Sequence, residues 1–593
     1  MSSESCHFNT GLTRRKFIGG TLAAAIVSGV LPACKIVAGS GSNTIPEPPN
    51  FPSGILLYQH AYENWARETK IAGVWTCAPA TPADVVVVAN WAKANNYKLR
   101  PFGSGHGFSP TLLPRGDDGE NIILVNTADQ LNTITVNAAA SIKSVTAQAG
   151  ALLEDICRAC EPYDLGLLHT PAPGGVTVAG GLAMNVHGAA LPALGESLEP
   201  GHSWGTLSNL VLALTAVVWN EGLGEYVLQT FSRDDPAIGP LLTCVARAFI
   251  TEVVLQLGPN LKIRCLSITN LTVPVLLANP ATQTANSFAN LTDQYGTVDI
   301  IFFPFYSNKT AWVKTWQPTP IKPATSREVF APYNYNIISL PPEASDIVAA
   351  GLRTLPATVP GFNNTSAINL ETMLADTNSN TQSKDFWGSA YTTTFYVKPM
   401  TLRLTVAAWG VIVARENIQR AVSEFYSYFL SLIATFKNVG MYPYTGPVEL
   451  RAHGLDRTAD VLMANAVEPT LSGARPHPNH PDKDVIIWFA INNNVDQPSA
   501  AQFNSLLEGW FISNYQSYGI VRPEWTKGFA YSVNAQNGGA WTNDTLLTET
   551  FPNTWRDGYP SESNWDAAVA AFNSYDPHRV FTNSFLDKLF PAA

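Results

Sequence analysis

Charge is scarce in this chain. Of its 593 residues only 14% are Asp, Glu, Lys or Arg, no long basic run occurs, and the formal net charge is −10. Nucleic acid is therefore excluded as a partner, because neutralising phosphates takes clustered positive charge. The same scarcity beside a hydrophobic share of 46% excludes a disordered or coiled-coil chain. Cysteine is scarce too. Cys6 and Cys34 fall near the N-terminus, and Cys77, Cys157, Cys160, Cys244 and Cys265 are too scattered for a disulfide framework. Cys157 and Cys160 have redox-motif spacing, but both fall on one expected helix, 152–160, where two buried thiols are the simpler reading. No internal repeat occurs. His169, His202 and His453 are lone histidines without neighbours at ligand spacing, and no metal site is expected.

What is present begins with an export signal. Thr13, Arg14, Arg15, Lys16, Phe17 and Ile18 form a twin-arginine pattern ahead of an apolar stretch, 17–33, which glycines and Pro32 interrupt. That stretch is too short and weakly apolar for a membrane span. The twin-arginine route carries folded proteins, which suits an enzyme loaded with a cofactor before export. A secreted or periplasmic protein is expected, with a membrane anchor through the leader, or a lipid on Cys34, as alternatives. The leader is assigned to 1–38 and a Gly/Ser/Pro-rich linker to 39–52.

The remaining length exceeds one compact core, so two domains are expected. Helix and strand signals alternate in an α+β manner. Thr81 caps a helix with Pro82 in its first turn, running to Asn95. Strands are expected at 97–102, 121–125, 133–136 and 144–149, with Gly150 opening the next helix. A hairpin joins 210–219 to 225–230, and 250–257 closes this half. Beyond it, 296–306, 401–414 and 485–491 read as strands and 416–437 as a helix. The tail from 525 has turns and one helix, 565–575. The division is thus 53–264, 265–524 and a C-terminal segment, 525–593, that returns to the first domain.

Three glycines in five residues, Gly103-Ser104-Gly105-His106-Gly107, follow an expected strand. The spacing fails as a dinucleotide fingerprint, since Phe108 stands where the last glycine belongs. Such a loop still lets backbone amides approach an anion closely. A second cluster holds Gly174, Gly175, Gly180, Gly181, Asn185, His187 and Gly188. Glu449-Leu450-Arg451 is the chief catalytic candidate, because alternate residues of a strand share a face. Alcohol oxidation needs a carboxylate to accept the hydroxyl proton and a cation to stabilise developing negative charge. A surface ion pair is the bland alternative. Asp299, among apolar strand residues, reads as a buried carboxylate with a raised pKa or as the partner of a nearby cation. For Asn492, Asn493 and Asn494, turn chemistry outweighs binding of a hydroxyl.

Taken in order, the Pro101–Pro110 loop, Ala149-Gly150-Ala151, the double-glycine loop ending His187-Gly188, the stretch from Ala248 to Val253 and the segment from Asp576 to Asn583 resemble the vanillyl-alcohol-oxidase type of FAD-binding fold. That resemblance implies a two-domain α+β flavoenzyme, an FAD-binding domain with a substrate-binding cap. It also implies FAD bonded through its 8α-methyl to His106. Phe102, Gly103, Ser104, Gly105, Gly107, Phe108, Ser109, Gly150, the second glycine cluster, Thr251, Val253 and Asn583 would surround the cofactor. One departure is Arg247-Ala248, where that family carries glycines. The aromatic strand from Gly296 to Phe305, the size and the Glu449/Arg451 context are similar to the covalent-flavin (type II) cholesterol oxidases, in which Asp299 would stand as a second active-site carboxylate. The implied reaction is oxidation of a sterol 3β-hydroxyl to the ketone, with oxygen as acceptor and hydrogen peroxide released, and with Δ5-to-Δ4 isomerisation as an optional second step. An alditol or aldonolactone oxidase, a related flavin dehydrogenase and a non-catalytic sterol-binding protein are the alternatives. A monomer that meets membranes or lipid micelles transiently to obtain sterol is expected.

Overall fold

The computed structural model describes residues 45–333, 341–397, 401–533 and 538–592. The twin-arginine pattern, Cys34 and the start of the linker lie outside these. Among the described residues no helix is long and apolar enough to cross a membrane.

The first half holds two larger sheets and a two-stranded pair, Leu165–Gly166 with Gly258–Pro259. Strands Leu56–Glu63, Lys70–Ala78, Ile122–Asn126 and Lys98–Phe102 form a mixed four-stranded sheet in that spatial order. Its crossover helix, Pro82–Asn95, starts where expected: the Thr81 and Asp84 side chains each bond the other's backbone N–H, a reciprocal cap. Asn96, in the left-handed region at φ +58°, ends the helix. The second sheet is antiparallel, ordered Ile134–Asn137, Ser144–Gln148, Phe249–Gln256, Val211–Asn220, Glu225–Ser232.

The second half is built on one nine-stranded sheet. Its middle strands, Thr297–Phe302, Val448–Gly454, Val485–Asn493 and Thr405–Val413, are antiparallel neighbours. Val448, Leu450 and Ala452 point into the main apolar core, which also contains Val298, Ile300, Phe302 and residues of helices Ile418–Asn438 and Ala500–Tyr515. Alternation then turns Glu449, Arg451, Asp299 and Ile301 to the opposite face. The register seats Asp299 beside Arg451 and Ile301 beside Glu449. This is the geometry that builds the site.

Three local expectations need correction. The strand expected at 296–306 stops at Phe302, two residues before Pro304, which cannot donate to the ladder. Gly150 does not open a helix; the helix is Leu153–Cys160, and Gly150 packs so closely that a Cβ would lie 2.0 Å from the Thr127 carbonyl oxygen. The tail carries a further helix, Ser584–Leu589, capped by the Asn583 side chain. Cys157 and Cys160 are buried free thiols on one helix.

Candidate active site

A cavity of about 370 Å³ lies between the glycine loops and the large sheet. Gly103, Ser104, Gly105, His106, Gly107 and Phe108 form one wall, with Gly180, Gly181, Asn185 and His187 beside them. The two glycine loops touch: a Cβ on Gly103 would sit 2.2 Å from Thr177 Oγ1, so only glycine permits this approach. Gly105 is left-handed at φ +69°, whereas Gly107 faces open space.

His106 stacks on Trp65 with ring centroids 4.0 Å apart, and the Arg403 guanidinium lies 3.4 Å from the Trp65 ring centre. Burial, with the nearby charges of Arg403 and Lys527, pushes the His106 pKa down to about 3. The imidazole is therefore neutral at physiological pH and keeps a lone pair for bonding.

Glu449 and Arg451 project from strand Val448–Gly454 into the same cavity. Arg451 Nη2 lies 3.2 Å from Glu449 Oε2, and Tyr396 donates its hydroxyl to Glu449 Oε1 at 2.9 Å. Burial works to raise the Glu449 pKa, but Arg451, Lys314 and the Tyr396 hydrogen bond outweigh it and hold the carboxylate ionised. Asp299 has a cationic partner, Lys314 Nζ at 2.7 Å, and both side chains are fully buried. Burial, reinforced by the Glu449 charge, raises the Asp299 pKa against the opposing pull of Lys314.

Several expected cofactor residues do not line this cavity. Thr251 Oγ1 donates to the Thr215 carbonyl, and Val253 lies in the apolar core. Asn583 donates to the carbonyls of Pro110, Thr111 and Leu112, shaping the loop after His106 from behind. The Ser109 amide bonds the Thr526 carbonyl, and Phe102 packs on Tyr62. Gly150, Gly174 and Gly175 support the walls without lining them, while Gly188 lines a separate, smaller cavity. At the Arg247 departure, Ala246 and Ala248 do line the cavity, and Val245 and Ala246 adopt left-handed φ of +48° and +57°. That backbone is one glycine would adopt freely.

Other residues were not anticipated. Tyr396, Glu524, Lys527, Trp65 and Leu402 line the cavity, and Lys314 stands behind Asp299. Glu524 is held down to about 2: burial opposes its charge, and His187, Lys527 and Arg451 overcome that opposition. The Lys527 pKa is lowered by burial. Glu524 and Lys527 are charged residues flanked by apolar and aromatic ones, and that was the available signal. Asn492 and Asn493 end strand Val485–Asn493 and are not turn residues; Asn493 and the following Asn494 bond Thr445, whereas Asn492 bonds the Pro447 carbonyl and also lines the cavity. His453 accepts from Trp488 Nε1, and His202 bonds the Pro259 carbonyl.

These residues fit FAD. The cavity size is that of a cofactor or ligand site. Glycines let backbone approach it, buried Glu524 Oε2 on the cavity lining has no hydrogen-bond partner among the described residues, and His187 Nε2 meets only Glu524 Oε1, at 3.7 Å. A glycine cradle carrying a neutral imidazole, in one cavity with a carboxylate–guanidinium pair, defines a flavin-dependent oxidoreductase that acts on an alcohol.

The particular kind follows from comparison with known proteins. A family model described as "Cholesterol oxidase, substrate-binding" matches residues 262–591, and one described as "FAD binding domain" matches 75–198. Among solved structures, a "solvent-stable cholesterol oxidase" is 39% identical, covering 92% of this chain and 100% of that one with TM-score 0.87. Cholesterol oxidase from Brevibacterium sterolicum is 40% identical, covering 92% of this chain and 99% of that one, also with TM-score 0.87. No curated protein sequence matches. The chain belongs to the cholesterol oxidase family and is an FAD-dependent alcohol oxidoreductase.

Proposed function

We propose that this protein oxidises the 3β-hydroxyl of a sterol to the ketone, with oxygen as final acceptor and hydrogen peroxide as second product. The observation that carries the reading is the placing of Glu449 and Arg451 on one strand face, in the cavity that the His106 loop also lines. FAD supplies the acceptor for two electrons and a hydrogen. Glu449, ionised and near Arg451, takes the hydroxyl proton as the carbinol C–H bond breaks. Arg451 holds the substrate oxygen and stabilises negative charge that develops during the reaction. Ile301, Val397, Leu402, Leu404 and Val406 give the cavity an apolar wall, on which burial of sterol surface provides most of the binding.

His106 is the residue that would bond FAD covalently; its neutrality and its fixed stacking on Trp65 support this. Asp299 is assigned to an isomerisation step, in which a carboxyl moves a proton between ring carbons. Export by the twin-arginine route, a monomeric state and transient contact with membranes or micelles complete the proposal. The test is peroxide release from purified yellow protein given cholesterol, a C19 steroid, xylitol and a sugar lactone in parallel. Release with the sterols is expected; release with xylitol or the lactone alone overturns the sterol reading.

A further inference from the structure

The Tyr396 hydroxyl stands between two carboxyl groups, 2.9 Å from Glu449 Oε1 and 3.1 Å from Asp299 Oδ2. A phenol carries one proton and can donate to only one of them at a time. Both contacts are satisfied together only when one carboxyl carries a proton and donates back to the phenolic oxygen. The three groups therefore form a chain along which a proton changes ends without charging the tyrosine.

Beyond Asp299 lies a second cavity, of about 40 Å³, lined by His169, Glu196, Thr297, Asp299, Tyr396 and Arg451 among others. It has room for water. Two of its buried atoms, Asp299 Oδ1 and His169 Nδ1, have no hydrogen-bond partner among the described residues. Tyr396 and Arg451 line both cavities and so separate them.

We propose that Tyr396 is a proton relay that carries the substrate's proton from Glu449 to Asp299, at the edge of the smaller cavity. This rests on Glu449 being the base of the proposed reaction. The substrate O–H bond breaks and Glu449 Oε1 gains that proton. Glu449 passes it to the Tyr396 oxygen as the tyrosine's own proton moves to Asp299 Oδ2. Glu449 is again a carboxylate, Tyr396 is unchanged and Asp299 is a neutral acid. The charged and titratable groups facing the chain are Lys314 beside Asp299, Arg451 beside Glu449, Glu524 and Lys527 on the lining of the main cavity, and Glu196 and a neutral His169 in the smaller one. Lys314 stabilises the ionised Asp299 that receives the proton.

The experiment is anaerobic stopped-flow reduction of the bound flavin by cholesterol in mixtures of H₂O and D₂O, repeated across pH. It uses the holoenzyme and the Tyr396→Phe, Asp299→Asn, doubly substituted and Glu449→Gln forms. In the unmodified enzyme the isotope dependence should be curved, as for more than one proton in flight. Tyr396→Phe keeps the ring's packing; it should slow reduction about tenfold, less than the roughly 10²–10⁴-fold of a group that takes the substrate's proton directly, and make the dependence linear. Losing the tyrosine's hydrogen bond raises the Glu449 pKa, so the acid limb of the profile should move to higher pH. Asp299→Asn should match it, and the double variant should be no slower than either single one, as for members of one chain. An unchanged rate and curvature in Tyr396→Phe, or additive losses in the double variant, overturns the relay. Near-normal reduction by Glu449→Gln instead overturns the base assignment itself. Intact flavin absorbance in each variant shows that it has folded.

Discussion

Arg247 and Asp576 lie 329 residues apart and meet as a buried ion pair, Nη1 to Oδ2 at 2.6 Å. Asp576 also accepts the Tyr226 hydroxyl and the backbone amides of Val580 and Phe581. Removing one partner strands the other's charge without water. Asp576→Ala is therefore expected to cost about 3–5 kcal/mol, read as a fall in denaturation midpoint, with lowered flavin content because Ala246 and Ala248 flank Arg247 in the cavity wall. A midpoint within error of the parent would show that the pair holds nothing in place.

The catalytic pair separates into two functions. Glu449→Gln should lower the rate of flavin reduction about 100-fold or more, the usual scale for a general base. Arg451→Lys keeps the charge but loses the planar fork. It should slow both flavin reduction and the later reaction with oxygen. Stopped-flow reduction and separate reoxidation distinguish them, and near-normal reduction in both variants would move the active site elsewhere.

If His106 bonds the cofactor, acid-precipitated protein stays yellow and the flavin maps to a peptide containing His106. His106→Ala should release its flavin on denaturation. Trp65→Ala, which removes the ring stacked on the imidazole, should lower the covalently bound fraction without abolishing it. Free flavin in the acid supernatant of the unmodified protein would end the covalent assignment.

His202 offers a pH test away from the site. Burial pushes its pKa down to about 4, partly offset by its bond to the Pro259 carbonyl. An unfolded histidine titrates near 6.5. Between pH 6.5 and 4 the unfolded chain takes up a proton that the folded one refuses, so acidification costs stability, up to about 3 kcal/mol from this group. His202→Gln should show a smaller fall in melting temperature between those pH values than its parent. Parallel curves would show that His202 does not titrate on unfolding.

Much of the local architecture was legible because short-range rules decide it. Thr81, Pro82 and Asp84 announce their helix, and the alternation around Glu449 and Arg451 correctly puts both on one face. The glycine loops were legible as a cradle. Lys314 was not, because its meaning lies in pairing across the sheet: Asp299 sits opposite Lys314 on one neighbouring strand and Arg451 on the other. Tyr396 was not either, because it reaches Glu449 and Asp299 from outside the sheet, after helix Ala390–Thr394. No motif records such a register. Asn583 is expected at the cofactor, yet its Nδ2 donates to backbone carbonyls behind the His106 loop and its Oδ1 caps the helix Ser584–Leu589. Proximity to a site and contact with it look alike in a linear chain.

Arg100 Nη1 bonds the Phe581 carbonyl and its Nη2 the Ala246 carbonyl, while the Leu99 amide bonds the Val580 carbonyl. The wall that carries His106 is thus braced by residues 481 positions further along the chain. A nascent chain lacks that brace until those residues have been made, so the cofactor site cannot take its final form while its own glycine loop is being synthesised.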